Sequence, residues 1–164
     1  MEDRYLFKAK TKCIVGTYNF GKDDGEWVIG TLRHDCGKYT IFQFEFGRAN
    51  YIAYEVDPST ICQCTGLKDI NGDLIFEDDV LLCHGNVRDM VRVVYGEFTV
   101  INAETLEKID TVIGWHYEPI PTDEVSKCEP FCFSMPLTDE YIKACEMYVI
   151  CNANQFPKKF KRSR

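Results

Sequence analysis

The length and composition of this chain are those of a folded protein. It has 164 residues, 45% of them hydrophobic and 13% aromatic, which suffices for one compact domain or for a small domain with a second lobe. Lys and Arg number 19 against 26 Asp and Glu, so the net charge is −7, and a body this acidic repels a phosphate backbone.

Positive charge is concentrated at the end of the chain. The last seven residues, "KKFKRSR" (158–164), hold five of the 19 basic side chains, so residues 1–157 carry 14 basic against 26 acidic ones, a net charge of −12. We predict that 158–164 is a basic disordered tail. Any contact with nucleic acid would then come from this tail or from a local patch.

The nine cysteines are odd in number and irregularly spaced, which is not the pattern of a disulfide framework. No basic-then-apolar leader and no long apolar run is visible, so we expect no membrane segment and a cytoplasmic location with reduced thiols. The cysteines are Cys13, Cys36, Cys62, Cys64, Cys83, Cys128, Cys132, Cys145 and Cys151.

The first part of the chain is predicted to be a β-rich lobe. Its opening alternates, with Phe7, Ala9 and Thr11 on one face and lysines on the other, as in a half-buried strand. "EWVIGTLRH" (26–34), "YTIFQFEF" (39–46) and "NYIAYEV" (50–56) indicate further strands. The last run ends at Asp57-Pro58, because proline disfavours a continuing ladder, so we place the lobe at 1–57.

Short β-rich pieces separated by turn residues follow Pro58. They are "TICQCT" (60–65), "LIF" (74–76), "VLLC" (80–83), "VRVVYGEFTVI" (91–101) and "TVIGWHYEPI" (111–120). Many short strands with frequent turns are typical of a small barrel or sandwich. The fold class predicted for the chain is therefore mainly β.

One short helix is predicted near the end, within "PLTDEYIKACEMY" (136–148). Thr138 is a suitable N-cap, and Asp139 and Glu140 place negative charge in the first turn. Leu137 and Ile142 have the spacing of a hydrophobic staple. The chain then returns to a strand, "YVICN" (148–152).

The stretch "TGLKDINGDLIFEDDV" (65–80) is acidic, and its spacing excludes an EF-hand calcium loop. Counted from Asp69, loop position 6 is Leu74 and position 12 is Val80, where glycine and glutamate are needed. Asn71-Gly72 instead predicts a type I′ hairpin turn, with Asp69 and Asp73 facing solvent. A second bend is expected at 77–79. The predicted buried contacts come from Leu67, Leu74 and Phe76.

The same run resembles the signature of the YopX family of phage and prophage proteins, in its Thr-Gly-Leu-Lys-Asp and Asn-Gly elements. The family's Glu-Gly-Asp is Glu-Asp-Asp here, so Asp78 stands where the family has glycine. "EWVIGTL", "VDPSTICQ", "VVYGEFTV" and "PLTDEYIKACEMYVICNANQFP" extend the resemblance over most of 5–157. It implies an SH3-like β-barrel at 58–157. It implies no reaction and no cofactor, because the family has no accepted catalytic motif.

Two cysteine-based sites are open alternatives. Cys62-x-Cys64 and Cys128-x3-Cys132 would supply four thiolates to zinc, with His34, His84 or His116 as substitutes, although the first spacing is short for a zinc knuckle. Cys83 or Cys36 with a histidine would form a nucleophile pair. In both cases the simpler interpretation is that the cysteines are buried and reduced. We therefore assign no metal ligand and no catalytic residue.

We therefore expect a non-enzymatic interaction module that binds a host or phage protein, with inhibition of a host or defence protein as one form. No phosphate-binding loop, His-Glu-x-x-His or nucleophile elbow argues for an enzyme. The alternative is a small barrel that binds nucleic acid, which the net charge disfavours; self-association into a homo-oligomer is left open. The candidate binding residues are Trp115, His116 and Tyr117 and, in the tail, Lys158, Lys159, Lys161 and Arg162.

Overall fold

A computed structural model describes residues 3–12, 24–44, 51–102 and 104–155. Strands dominate these residues and one short α-helix is present, which confirms the mainly β class. The strands are β1 (Phe7–Lys10), β2 (Trp27–Asp35), β3 (Lys38–Phe44), β4 (Tyr51–Glu55), β5 (Cys62–Lys68), β6 (Leu74–Phe76), β7 (Asp79–Cys83), β8 (Asn86–Ile101), β9 (Lys108–Pro119), β10 (Met135–Pro136) and β11 (Tyr148–Asn152). The α-helix is α1 (Asp139–Ala144), and 3-10 helices lie at Asp3–Tyr5, Pro58–Thr60, Val125–Lys127 and Ala153–Gln155.

The chain divides into two compact units, Met1–Gly66 and Leu67–Arg164. In the first unit, antiparallel strands lie in the order β4-β3-β2-β1-β5. The alternation predicted for the opening strand is confirmed, because Ala9 is fully buried and the lysines beside it are not. The core of this unit is formed by Ala9, Val28, Ile41, Tyr54 and Val56.

Strand β5 carries the chain out of the first unit, and a hairpin turn joins it to β6. The second unit contains a five-stranded antiparallel sheet in the order β10-β9-β8-β7-β11. Closure of these strands into an SH3-like barrel stays a prediction. The core of this unit contains Ile75, Leu81, Cys83, Val91, Val93, Tyr117, Leu137, Ile142 and Met147.

Helix α1 begins where the sequence predicted. The Thr138 hydroxyl accepts a hydrogen bond from the Tyr141 N–H at 3.2 Å, which confirms the N-cap. Leu137 and Ile142, the two residues of the predicted staple, are both buried in the core of the second unit. The helix therefore packs through the face that the sequence selects, and β11 follows it as expected.

The hairpin of β8 and β9 is longer than the strands beside it. β7 pairs with β8 only as far as Arg92, and β10 pairs with β9 only at His116 and Tyr117. β8 and β9 continue to pair with each other as far as Ile101 and Lys108. Among the described residues, no further strand is hydrogen-bonded to this distal part, so it is a two-stranded arm with two strand edges.

Candidate functional site

The acidic stretch, 65–80, was the first candidate for a cation-binding or catalytic site. Its Asp69 is instead a buried residue with a structural role. The prediction that Asp69 faces solvent is wrong, because its side chain is only 6% exposed. Its Oδ1 accepts hydrogen bonds from the N–H groups of Asn71 at 2.8 Å and Asp73 at 3.0 Å. Its Oδ2 accepts one from the Val149 N–H of β11, also at 3.0 Å. Asp73 is exposed, as predicted.

The turn beside Asp69 also differs from the prediction. Gly72 has a φ of +90°, but Asn71 does not take a positive φ, so the turn is not of type I′. The Gly72 N–H donates to the Asp69 carbonyl at 3.0 Å, and the Asp69 N–H donates to the Asp73 carbonyl at 2.9 Å. These bonds are typical of a three-residue hairpin loop that ends on a glycine bulge, and the carboxylate of Asp69 favours it over type I′.

The predicted second bend is confirmed at Glu77 and Asp78. Asp78 has a φ of +62°, a left-handed conformation that costs a non-glycine residue about 1 kcal/mol. Its Oδ1 accepts from Arg92 Nε at 3.0 Å and Nη2 at 2.6 Å, and its Oδ2 accepts from Asn154 Nδ2 at 3.3 Å. These partly buried bonds offset the cost of the backbone conformation.

Asp79 is fully buried. Its Oδ2 accepts from the Phe76 N–H at 2.8 Å, and its Oδ1 accepts from Asn152 Nδ2 at 2.9 Å. The three buried or half-buried carboxylates of the stretch thus bind N–H donors of the protein. Among the described residues, no group of three or more His, Cys, Asp and Glu side chains is arranged to hold a metal ion. The stretch holds the second unit together and is not the candidate site.

The cysteine sites were the next candidates. Cys62 and Cys64 are buried in the first unit, whereas Cys128 and Cys132 are exposed in the second. The Cys62 thiol donates to the Thr60 carbonyl at 3.4 Å. Burial raises the pKa of the Cys83 thiol to about 12, so it is protonated at neutral pH, the opposite of an activated nucleophile.

The structure separates the binding residues that the sequence selected. His116 and Tyr117 are buried, because β9 lies inside the sheet at this point and both of its faces are covered. The His116 ring stacks on Phe98, with the ring centroids 4.6 Å apart. Trp115 is half-buried and packs against the core of the second unit, so only part of its side chain reaches the surface. Lys158, Lys159, Lys161 and Arg162 lie outside the described residues.

Next to Trp115, the distal arm exposes apolar side chains on one face. Tyr95 pairs with Trp115 across the strands, and their rings meet edge to face at 5.0 Å. Ile113 is 69% exposed and follows Trp115 on the same face of β9, and Ile109, at the bulge near the tip, is also largely exposed. We call Tyr95, Ile109, Ile113 and Trp115 the arm patch. Tyr95 and Ile113 were missed because alternation alone does not show where neighbouring strands stop.

The surroundings of the arm patch are acidic. Between Tyr95 and Trp115 the chain carries one basic residue, Lys108, and four acidic ones: Glu97, Glu104, Glu107 and Asp110. All five are exposed. An apolar stripe with an acidic rim favours a partner that presents apolar side chains among basic ones.

A second surface, in the first unit, combines an indole with two lysines. The Nζ atoms of Lys8 and Lys10 lie 5.4 Å and 5.7 Å from the ring centroid of Trp27. Trp27 is half-buried, and its neighbour on the same face of β2, Ile29, is exposed. Ammonium groups beside an aromatic ring are the side chains that single-stranded nucleic acid contacts through its phosphates and bases.

The second unit also contains a cavity of about 320 Å³. Its walls are mainly apolar, with charged groups from Arg88, Asp89 and Asp123. Seven of the lining residues belong to the segment between β9 and β10, among them Pro130, Phe131 and Phe133. The volume would accept one large side chain or a small ligand, but no catalytic arrangement accompanies it among the described residues.

In the part of the chain that the structure describes, no helix has the length and apolar character needed to cross a membrane. The family model described as YopX protein matches residues 8–129, well over half of the chain. Neither a curated protein nor a solved structure matches the chain significantly. The family match ends before α1 and β11, two elements that the resemblance noted in the sequence also included.

Proposed function

We propose that this chain, which belongs to the YopX protein family, is a protein-binding module that does no chemistry and binds its partner through the arm patch. One observation carries the proposal: apolar side chains are exposed together on the part of the β8–β9 hairpin that has no neighbouring strand among the described residues. Scattered exposed apolar residues are ordinary on protein surfaces, but an exposed Ile113 beside the Tyr95–Trp115 ring pair, with strand edges next to it, is typical of a binding surface.

Two kinds of recognition are available at the arm. The edges of β8 and β9 offer backbone N–H and C=O groups to which an extended segment of a partner can add as a further strand. Trp115, Tyr95 and Ile113 offer apolar contact beside those edges, and aromatic residues dominate the binding energy of many interfaces. The acidic rim favours a basic partner, and we infer a host or phage protein of that charge.

The test is to identify the partner and then to measure its affinity with purified components. The full chain is used to capture proteins from a nuclease-treated bacterial lysate, and each captured protein is purified and titrated. We expect the double substitution Tyr95→Ser with Ile113→Ser to weaken binding about tenfold or more, because hot-spot side chains contribute at least that much. Raising the salt concentration should slow association, because the acidic rim is screened.

Val87 supplies the matched control. It lies in the second unit and is 71% exposed, close to the 69% of Ile113, but it is outside the arm patch. Val87→Ser removes a similar apolar side chain from the surface, so binding should be unchanged. Equal losses in both variants, or no loss in the arm double variant, would show that the partner binds elsewhere.

The second candidate function is single-stranded nucleic-acid binding in the first unit. The pair of lysines at Trp27 favours it, because a base can stack on the indole while the ammonium groups meet phosphates. The net charge of −7 opposes it. Fluorescence anisotropy with labelled single-stranded DNA and RNA at low salt tests it. If it is right, Trp27→Ala weakens binding several-fold and deletion of 158–164 weakens it further, whereas Tyr95→Ser does not.

A further inference from the structure

Two thiols that neither function uses lie close together in the segment between β9 and β10. Cys128 and Cys132 are both exposed. The Cys132 N–H donates to the Cys128 carbonyl at 3.1 Å, and the Phe133 N–H donates to the Pro130 carbonyl at 3.2 Å. The backbone between the two cysteines is therefore coiled into a single closed turn.

This turn brings the two residues within disulfide range. The hydrogen bond limits their separation: the Cys128 Cα lies about 2.4 Å from its own carbonyl oxygen and the Cys132 Cα about 1.5 Å from its own nitrogen, so the 3.1 Å N···O distance keeps the two Cα atoms within about 7 Å of each other. Disulfides join Cα atoms that are about 4.4–6.8 Å apart. Cys128 and Cys132 are therefore close enough to be joined, provided that the Cys128 thiol leaves its hydrogen bond to the Glu124 carbonyl, at 3.2 Å, and rotates toward Cys132.

The other described cysteines are less accessible to a small-molecule disulfide or lack a nearby exposed thiol. Cys62, Cys64 and Cys83 are buried, and Cys145 and Cys151 are half-buried. Burial raises the pKa of Cys145 as it does that of Cys83, and a protonated thiol is a poor nucleophile. Cys36 is exposed at the turn between β2 and β3, in the other unit. Among the described thiols, Cys128 and Cys132 alone are both exposed and joined by a closed turn.

We propose that Cys128 and Cys132 are a reversible redox site that exchanges with small-molecule disulfides such as oxidised glutathione. The thiolate of one cysteine attacks a sulfur of glutathione disulfide, forms a mixed disulfide and releases one glutathione. The second cysteine loses its proton and attacks the mixed disulfide, which forms the Cys128–Cys132 bond and releases the second glutathione. Two protein thiols are oxidised, and one glutathione disulfide is reduced to two thiols.

The location of the pair gives the bond a structural effect. Phe131 lies between the two cysteines and lines the 320 Å³ cavity, as does Phe133 just beyond them. A disulfide from 128 to 132 closes a small covalent ring around Phe131. The oxidised protein would therefore hold this wall of the cavity in one arrangement, whereas the reduced protein would not.

The test is a redox titration of the full chain in buffers of reduced and oxidised glutathione. Samples are quenched in acid, free thiols are alkylated, and each cysteine is quantified separately by peptide mass spectrometry. We expect the free thiols of Cys128 and Cys132 to be lost in parallel through one two-electron transition, with a peptide linking the two. The buried Cys62 and Cys64 should remain reduced in the same buffers.

Two substitutions complete the experiment, and both are at exposed positions, so circular dichroism should show unchanged folding. Cys128→Ser should abolish the parallel transition and leave Cys132 carrying bound glutathione. Cys36→Ser removes another exposed thiol and should leave the transition unchanged. Independent titration of the two cysteines, each ending with its own glutathione, would overturn the proposal, as would a disulfide from either one to another cysteine.

Discussion

Replacing Asp79 with alanine should destabilise the second unit by about 2–4 kcal/mol. The N–H of Phe76 and the side-chain amide of Asn152 would both lose the carboxylate that accepts from them in the interior. Buried donors that lose a charged acceptor cost about 1–3 kcal/mol each. Asp79 is fully buried, so water cannot readily replace the lost bonds.

Urea unfolding followed by tryptophan fluorescence measures this effect. The substitution Trp27→Phe in the background leaves Trp115 as the reporter of the second unit. Asp73→Ala is the matched control, because Asp73 is an acidic residue of the same stretch but is exposed, and it should change the unfolding free energy by less than about 0.5 kcal/mol. Equal midpoints for the Asp79 and Asp73 variants would contradict the structural role of Asp79.

Asp69→Ala should have the second largest effect, about 2 kcal/mol. Three backbone N–H groups lose their shared acceptor, but Asn71 and Asp73 are exposed, so water can replace it for two of them. Asp69→Asn should cost less. An asparagine oxygen can keep the bonds to Asn71 and Asp73, but its NH2 group then faces the Val149 N–H, and two donors cannot bond to each other. The order of stability expected is therefore Asp, Asn, Ala.

Amide hydrogen exchange locates the effect. In the Asp69→Asn variant the protection of the Val149 amide should fall more than that of Asn71 and Asp73, because only the bond to β11 is replaced by a clash of donors. Asp73→Asn, at the exposed end of the same hairpin loop, is the control and should leave Val149 protected. A uniform fall over the whole unit in the Asn variant would show that Asp69 does not hold β11 locally.

The elements of the fold were predictable from the sequence because their signals are local. Thr138 with its acidic neighbours marks the start of α1, and Leu137 and Ile142 mark its buried face. Alternation at the opening of the chain marks β1 and its inner side. The bend at Asp78 was also visible, as the position where the family resemblance has glycine and the structure has a positive φ.

The environment of the acidic stretch was not predictable, because its partners are distant in sequence. Asn71-Gly72 alone favours a type I′ turn with solvated flanks. The observed turn depends on the carboxylate of Asp69, which is buried because β11 returns alongside it and offers the Val149 N–H. No local sequence pattern indicates that Asp69 accepts a hydrogen bond from a strand eighty residues later in the chain.

The candidate site was predictable only in part, for a related reason. The sequence identified a strand with Trp115, His116 and Tyr117, but both faces of β9 are covered at His116 and Tyr117, and exposure begins further along the arm. Where the arm becomes exposed is set by the lengths of β7 and β10, which pair with only part of β8 and β9. Strand lengths relative to neighbours are a property of the sheet, so Tyr95 and Ile113 were missed.

The carboxylates of the acidic stretch and their later hydrogen-bond partners are far apart in sequence, and this separation determines when the second unit can finish folding. Asp69, Asp78 and Asp79 bond to Val149, Asn154 and Asn152, which lie 80, 76 and 73 residues later. During synthesis these carboxylates cannot complete their bonds until the residues of β11 and those just after it have been made, and pairings of such high contact order form slowly. Until β11 is present, Asp69 and Asp79 lack these partners, and completion of the second unit is therefore a late event in biosynthesis.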